Sequence, residues 1–451
     1  MYQTLRCSAF CSCFSYFRIA FWFFFAILSP VFFSFLAALS ACFWLFGPMK
    51  IWARRGSESV AVKSSRRKTV TIRFIVSSRT LTILHWRPGS MSEPGIFRQL
   101  RLQDTGEQGQ YEKAVELSKQ APRSPDGMIY LYENIANYQL ALQHFDEAKQ
   151  ILREAQSRKL DDAGARELHY ALAFLASDSE GMEEQEKWFA SSPGDAEEGL
   201  ALASDTEAYR GHPGKALELT KRAADSAVRA DNKESGAGDL ADAALREAAY
   251  GYSADARRLA AEALKLAPES PGAAIESVLA FAMVGDTTRA ESLAKDLNKR
   301  FPLDTQMQSL WLPAIHAQLA LARKDPVSAL NMLQPSPIEF GTMIFGNTCL
   351  YRQYVRGEAY LADGQGSAAT VEFGKILEHS GLVLNCWTGV LAHLGVARAN
   401  ALQSRTSKGA DADAARVRAL AAYKDFLTLW KDADSDIPIL KRAKEEYGRL
   451  Q

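Results

Sequence analysis

The stretch MIYLYENIANYQLALQHFDEAKQILREA, residues 128–155, decides the fold. Tyr132, Ile135 and Ala136 recur at the spacing of one helical face. Phe145, Ala148, Leu152 and Ala155 do the same further on. Two short amphipathic helices in succession form a hairpin. A small residue such as Ala148 is needed where the two helices cross closely, because a larger side chain would hold them apart.

The same small residue recurs along the chain, at Ala114, Ala148, Ala216, Ala256, Ala290, Ala329, Ala369 and Ala421. Two of the intervals are 34 residues and one is 68, which is the period of a tetratricopeptide (TPR) unit and its double. The other intervals fit the same unit with loop insertions. Ala256, Ala260, Ala263 and Pro268 give a second helix with its closing proline, and Ala290, Ala294, Leu297 and Pro302 repeat it. Gly357 and Tyr360 precede Ala369, Phe373 and Ile376 in another unit, and Leu394-Gly395 opens the last hairpin, whose helices are parted by the polar stretch 404–413. Gly211, Gly285 and Gly364 fall at turns between helices, where a left-handed backbone costs glycine little.

Residues 95–451 are therefore expected to be an all-α, TPR-type solenoid of about nine helix hairpins. One hairpin cannot bury its own apolar face, so stacked copies share a continuous core. The unit over residues 165–191 lacks a clean anchor, with Trp188 and Phe189 supplying bulk instead, and the unit near residues 96–122 has a poor first helix. Residues 437–450 read as a charged capping helix. First helices line the inner groove of such arrays, and a groove of this kind takes an extended peptide or a partner helix. Tyr130, Glu133 and Asn137 are the groove candidates in the unit quoted above.

Charge divides the chain. Residues 1–90 hold 12 Lys and Arg and one acid, Glu58, whereas the rest holds 41 basic and 52 acidic residues. The acidic part offers no nucleic-acid surface. Residues 19–46 carry no charge, and as a helix they would reach about 42 Å, enough to span a bilayer. Nine of these 28 residues are Phe, and Trp22 and Trp44 suit the two interfaces. This single hydrophobic helix would follow an N-terminal segment (1–18) and precede a basic, disordered linker (47–94). Lys50, Arg54, Arg55, Lys63, Arg66, Arg67 and Lys68 after the span would leave the array cytoplasmic and membrane-anchored. Two alternatives stay open. Leu39-Ser40-Ala41-Cys42 resembles a bacterial lipobox, which would lipidate Cys42 and export the array. Translation starting at Met91 would give a soluble protein.

The sequence carries no recognisable catalytic motif. The seven histidines are scattered without the i, i+4 spacing of a helical zinc site. There is no phosphate-binding loop or nucleophile elbow, and Asp425-Phe426 runs into Leu427 where a kinase would have glycine. The cysteines form no disulfide framework, with only Cys349 and Cys386 in the acidic part. No enzyme, cofactor or metal is expected. Cleft carboxylates with strongly shifted titration would be needed to argue otherwise.

Several stretches resemble the C-terminal TPR region of a group of bacterial serine/threonine protein kinases. They are AAYKDFL (421–427), LWKDAD (429–434), DIPIL (436–440), RFPLD (300–304), WLP (311–313), YVRG (354–357), VLN (383–385) and LAHLG (391–395). The resemblance implies a protein-interaction scaffold linked to kinase signalling, either free-standing or the remnant of a kinase–TPR protein. The kinase domain itself is absent, so no catalytic activity comes with it.

Overall fold

A computed structural model describes residues 105–120, 128–341 and 349–451 in full, and the backbone of short strands within residues 2–81. The chain divides into two compact units, Met1–Ile96 and Phe97–Gln451. Residues 19–46, Cys42 and Met91 lie outside the described residues.

In the first unit, β1 (Tyr2–Arg6), β2 (Met49–Arg54), β3 (Ser59–Ser64) and β4 (Thr69–Arg73) form an antiparallel sheet in sequence order. Its register pairs Ile51 with Leu5 and Val62, and Val62 with Val70. Strands β5 (Val76–Ser77) and β6 (Thr80–Leu81) make a small hairpin. Strands thus occupy part of the stretch expected to be a disordered linker. The reason lies in its alternation: Val60, Val62, Val70 and Ile72 sit every second residue among Ser, Thr and Lys, which is a strand period.

The second unit is an all-α, TPR-type solenoid. After α1 (Tyr111–Lys119) come hairpins α2/α3 (Met128–Ala141, Phe145–Ser157), α4/α5 (Ala163–Leu175, Ser179–Ser191) and α6/α7 (Ala196–Tyr209, Pro213–Arg229). Then follow α8/α9 (Lys233–Tyr250, Ser253–Leu266), α10/α11 (Pro271–Met283, Thr287–Arg300) and α12/α13 (Leu312–Ala322, Pro326–Met332). The last are α14/α15 (Tyr351–Ala362, Gly366–Glu378) and, after the one-turn α16 (Ser380–Val383), α17/α18 (Trp387–Thr406, Ala410–Leu429). Helix α19 (Pro438–Leu450) ends the chain and buries Ile439, Leu440 and Ala443.

One register rule generates the hairpins. Ala114, Ala148, Ala216, Ala256, Ala290, Ala329 and Ala369 are each the fourth residue of a second helix, and each is 0 % exposed. Five residues before every one of them the backbone turns left-handed, at Gly109, Gln143, Gly211, Gly251, Gly285, Lys324 and Gly364. The α4/α5 hairpin keeps the rule with Ser177 left-handed and buried Met182 in the alanine's place. At each turn the residue after the left-handed one donates its N–H to a carbonyl five residues back, as His212 does to Glu207 and Gln365 to Tyr360. That is the Schellman closure of a helix C-terminus. First helices then start on side-chain caps, Asp162 for α4, Asn232 for α8 and Ser270 for α10.

The last hairpin departs from the expectation. Ala421 is exposed, and Ala415 and Ala419 are the buried small residues of α18. Both helices are 20 residues long and run well into the expected polar loop, which moves the crossing point away from Ala421.

The array also closes on itself. The first helices α6, α8, α10, α12, α14 and α17 each touch the next, and α17 returns to touch α6. Further joints seal the turn. Trp430 Nε1 donates to Tyr209 O at 2.8 Å, and Asp434 N donates to Gly211 O at 2.9 Å. Asn385 Nδ2 donates to Leu202 O, Ser380 Oγ donates to Gln143 Oε1, and α19 packs on α8. A disulfide joins Cys349 to Cys386 and so ties the starts of α14 and α17. The sequence reading did not anticipate it, because the pairing of residues 37 apart is set by tertiary geometry.

Left-handed turns separate strain from packing in a testable way. Lys324→Gly should raise stability by about 0.5–1 kcal/mol, and Gly364→Ala should lower it by about 1 kcal/mol. Gly211→Ala should cost more than Gly364→Ala, because its Cβ would lie 2.4 Å from Ala433 Cβ whereas Gly364 faces open space. Urea unfolding midpoints of the three variants check the order.

Candidate functional site

The inner faces of α6, α8 and α10 bring charge into the middle of the ring. Helix α8 carries Asp239, Asp242 and Arg246 at i, i+3 and i+7, one continuous stripe. Helix α6 adds Asp205 and α10 adds Glu276. Arg246 is 2 % exposed and makes the central ion pair, Nη1 to Asp205 Oδ1 at 2.6 Å, with Asp242 Oδ2 at 3.5 Å. Its Nη2 donates to Ser204 Oγ at 2.8 Å and to Thr220 Oγ1. From across the ring Tyr351 of α14 donates its hydroxyl to Asp242 Oδ1 at 3.2 Å. Aromatic rings fill the space beside it, with Trp311–Tyr351 and Tyr351–Trp387 centroids both 5.7 Å apart.

One guanidinium does not balance four carboxylates. Burial foremost, and then the neighbouring carboxylates, push Asp205, Asp239 and Glu276 well above the usual carboxyl range. Arg246 opposes the shift at Asp205 and Asp239, and no cation opposes it at Glu276. Asp239 Oδ2 is buried without a hydrogen-bond partner. A small pocket reaches the cluster between Asp205, Asp242, Arg246, Asn385, Cys386 and Trp387.

These are cleft carboxylates with shifted titration, the feature that acid–base catalysis would need. The hydroxyls beside them are not set up as nucleophiles. Ser204 Oγ donates to Ala216 O at 2.7 Å, Thr220 Oγ1 donates to the same carbonyl at 3.1 Å, and both accept from Arg246. An activated nucleophile would instead donate to a base. Nor is the cluster spaced for a metal: among the described residues no three His, Cys, Asp or Glu side chains could hold one ion. What it can do is hold protons on carboxyls that burial keeps from ionising.

The sequence-predicted groove residues lie elsewhere, on α2. Tyr130 is 53 % exposed, Asn137 is exposed and Glu133 is half-buried. Glu133 lies against α4, where a Cβ on Gly164 would come within 2.7 Å of its Oε1. The structure does not bring these three to the ring centre. The sequence reading missed the central cluster, although the Asp239, Asp242, Arg246 stripe is visible as a helical face. Its partners come from other helices, 26 to 109 residues away.

No protein-family model and no curated protein matches the chain. Among solved structures it is similar to a tetratricopeptide repeat protein from Parabacteroides merdae, at 14% identity over 68% of this chain and 98% of that one, with a TM-score of 0.31. It is also similar to yeast Tom70, at 13% identity over 80% and 89% of the two chains and a TM-score of 0.35. The TPR domain of P58(IPK) covers 79% and 98% at 14% identity and a TM-score of 0.22. With scores this low, the TPR-type solenoid assignment stands on the repeat register itself.

Glu133 gives the array a pH dependence. Burial, and then a hydrogen bond with Asp162, raise its carboxyl from 4.5 to about 8. A raised carboxyl favours the fold while protonated, so its contribution is complete below 4.5 and is lost as pH rises through 8. Glu133→Gln should therefore raise the melting temperature at pH 8.5 and leave it unchanged at pH 4, as scanning calorimetry at both values would show.

Proposed function

We propose that the second unit is a non-enzymatic protein-interaction scaffold. The observation that carries this reading is the repeat register shared by eight second helices, which presents a row of first helices. Aromatic side chains of α14 and α17 occupy the inner surface within the closed part of the array, which favours a contact surface nearer its start. On this reading Tyr130, Glu133 and Asn137 on α2 meet an extended peptide or partner helix. A large exposed aromatic beside two polar groups suits such a contact.

The disulfide bears on location. Paired cysteines persist in oxidising compartments and are rare in the cytosol. Cys349–Cys386 supports the exported alternative, with residues 19–46 as an anchor or leader, over a cytoplasmic array. A second reading, a regulatory or sensory module working with a separately encoded kinase, rests on the sequence resemblance. The resembling stretches supply Trp311, Tyr354, Asn385, Trp430 and Asp434, all of which have packing or hydrogen-bonding roles within the ring.

Two experiments test these readings. A photo-crosslinking residue at Tyr130 of the full chain, in its native cell, should capture a discrete protein that the same residue at outward-facing Val371 does not. Equal capture at both positions, or none, contradicts the α2 contact surface, and a captured kinase would favour the second reading. Thiol labelling of the native protein should leave Cys349 and Cys386 unmodified until a reductant is added. Immediate labelling of both would place the array in a reducing compartment.

A further inference from the structure

We infer that His212 is a proton-operated latch on the seam of the ring. It sits in the turn between α6 and α7, beside two bonds that close the ring there, Trp430 Nε1 to Tyr209 O and Asp434 N to Gly211 O. Its Nδ1 lies 2.8 Å from Glu207 Oε2 on α6. Its Nε2 lies 3.1 Å from Asp432 O, in the loop between α18 and α19. Both partners are acceptors, one a carboxylate and the other a backbone carbonyl. A neutral imidazole carries one N–H and can serve only one of them, leaving a lone pair turned on the other oxygen. Only the imidazolium donates to both. The protonated ring therefore ties α6 to the far end of the array, and the neutral ring lets one of the two bonds go.

A second histidine shows the same position without a latch. His144 holds the matching place in the α2/α3 hairpin, where its backbone N–H closes the turn on Gln139 O as that of His212 does on Glu207 O. Its Nδ1 meets Gln139 Oε1 at 3.0 Å. That partner is a neutral amide, which a neutral imidazole satisfies. The surroundings of His212 keep its own partner charged. Lys215 Nζ of α7 is 2.8 Å from Glu207 Oε1, and Arg210 Nη1 is 3.9 Å from it. Burial alone would raise the Glu207 carboxyl, but the bonds from Lys215 and His212 outweigh it and hold the group below its usual range. Glu186 of α5 acts on the same carboxylate. From the α18–α19 loop, Asp434 faces His212 across a cleft of about 410 Å³, and the Asp432 carboxylate turns to Lys431 at 3.8 Å. The cleft and the 29% exposure of the His212 side chain let protons reach the latch without unfolding. A proton that makes a bond only in the closed ring favours closure where it is bound. The tie is thus complete in mildly acidic solution and fades as pH rises through about 5 to 8, where imidazoles give up their charge.

The test is hydrogen exchange of the Asp434 amide in the full chain at pH 5.5 and pH 7.5, each rate taken relative to that of an unstructured peptide at the same pH. Protection of Asp434 should fall about fivefold between the two values, the scale of a partly exposed charged contact, while the core amides of α8 keep theirs. His212→Gln should give the lower protection at both values, with the pH dependence gone. Glu207→Gln recreates the His144 arrangement and should protect Asp434 equally at both values. Unchanged α8 amides in each variant show that the fold is intact. The inference is overturned if wild-type protection is the same at both pH values, or if either variant keeps the wild-type pH dependence. It does not depend on what the array binds, so its failure would leave capture at Tyr130 untouched.

Discussion

Everything in the second unit depends on how closely two helices of a hairpin cross. The crossing admits only a methyl group at seven positions, Ala114 through Ala369, each fully buried. A methyl at the crossing lets the backbones approach, and the left-handed residue five positions earlier sets the angle of return. With both fixed, successive hairpins stack in one orientation, and small rotations add up to a superhelix. The curvature is tight enough that α17 returns to α6 and α19 to α8. Closure is thus a summed consequence of a local rule, and the Cys349–Cys386 bond and the Trp430 and Asp434 joints lock it. A bond closing a loop of 37 residues contributes about 4 kcal/mol on the chain-entropy estimate.

Closure also sets what the inner surface can be. An open TPR superhelix leaves its first helices to a ligand, but here aromatic rings from α14, α17 and the helical turn before α12 (Met307–Trp311) occupy much of that space. The polar residue stripe of α8 is left in a low-dielectric setting, where four carboxylates and one guanidinium interact strongly. The same burial that raises those carboxyls makes their unmet charge expensive. The site is therefore a place where the array departs from consistent packing.

The hairpins were legible in the sequence because the physical demand at the crossing excludes almost every side chain but alanine. The turns were legible only where the left-handed residue is glycine. At Gln143, Ser177 and Lys324 the same backbone is held by the Schellman closure against the residue's own preference, and nothing in composition betrays it. Ala421 misled because the 20-residue helices of the last hairpin shift the crossing to Ala415 and Ala419. Ring closure, the disulfide and the central charge cluster were not legible, since each joins residues whose proximity depends on accumulated curvature. The peptide-contact residues Tyr130, Glu133 and Asn137 share a face of α2, as helical spacing requires, but that face is not the charged one.

The central claim is that the solenoid closes into a ring. The most direct measurement is the hydrogen exchange of the Asp434 amide, whose N–H crosses the seam to the Gly211 carbonyl. Its flanking residues lie in a turn with no helix to protect them. A closed ring predicts slow exchange that matches the core amides of α8, and acceleration of Asp434 alone when Trp430→Phe removes the neighbouring indole bond. Exchange at the rate of an exposed coil in the wild-type chain would show that the array is open and contradict the account.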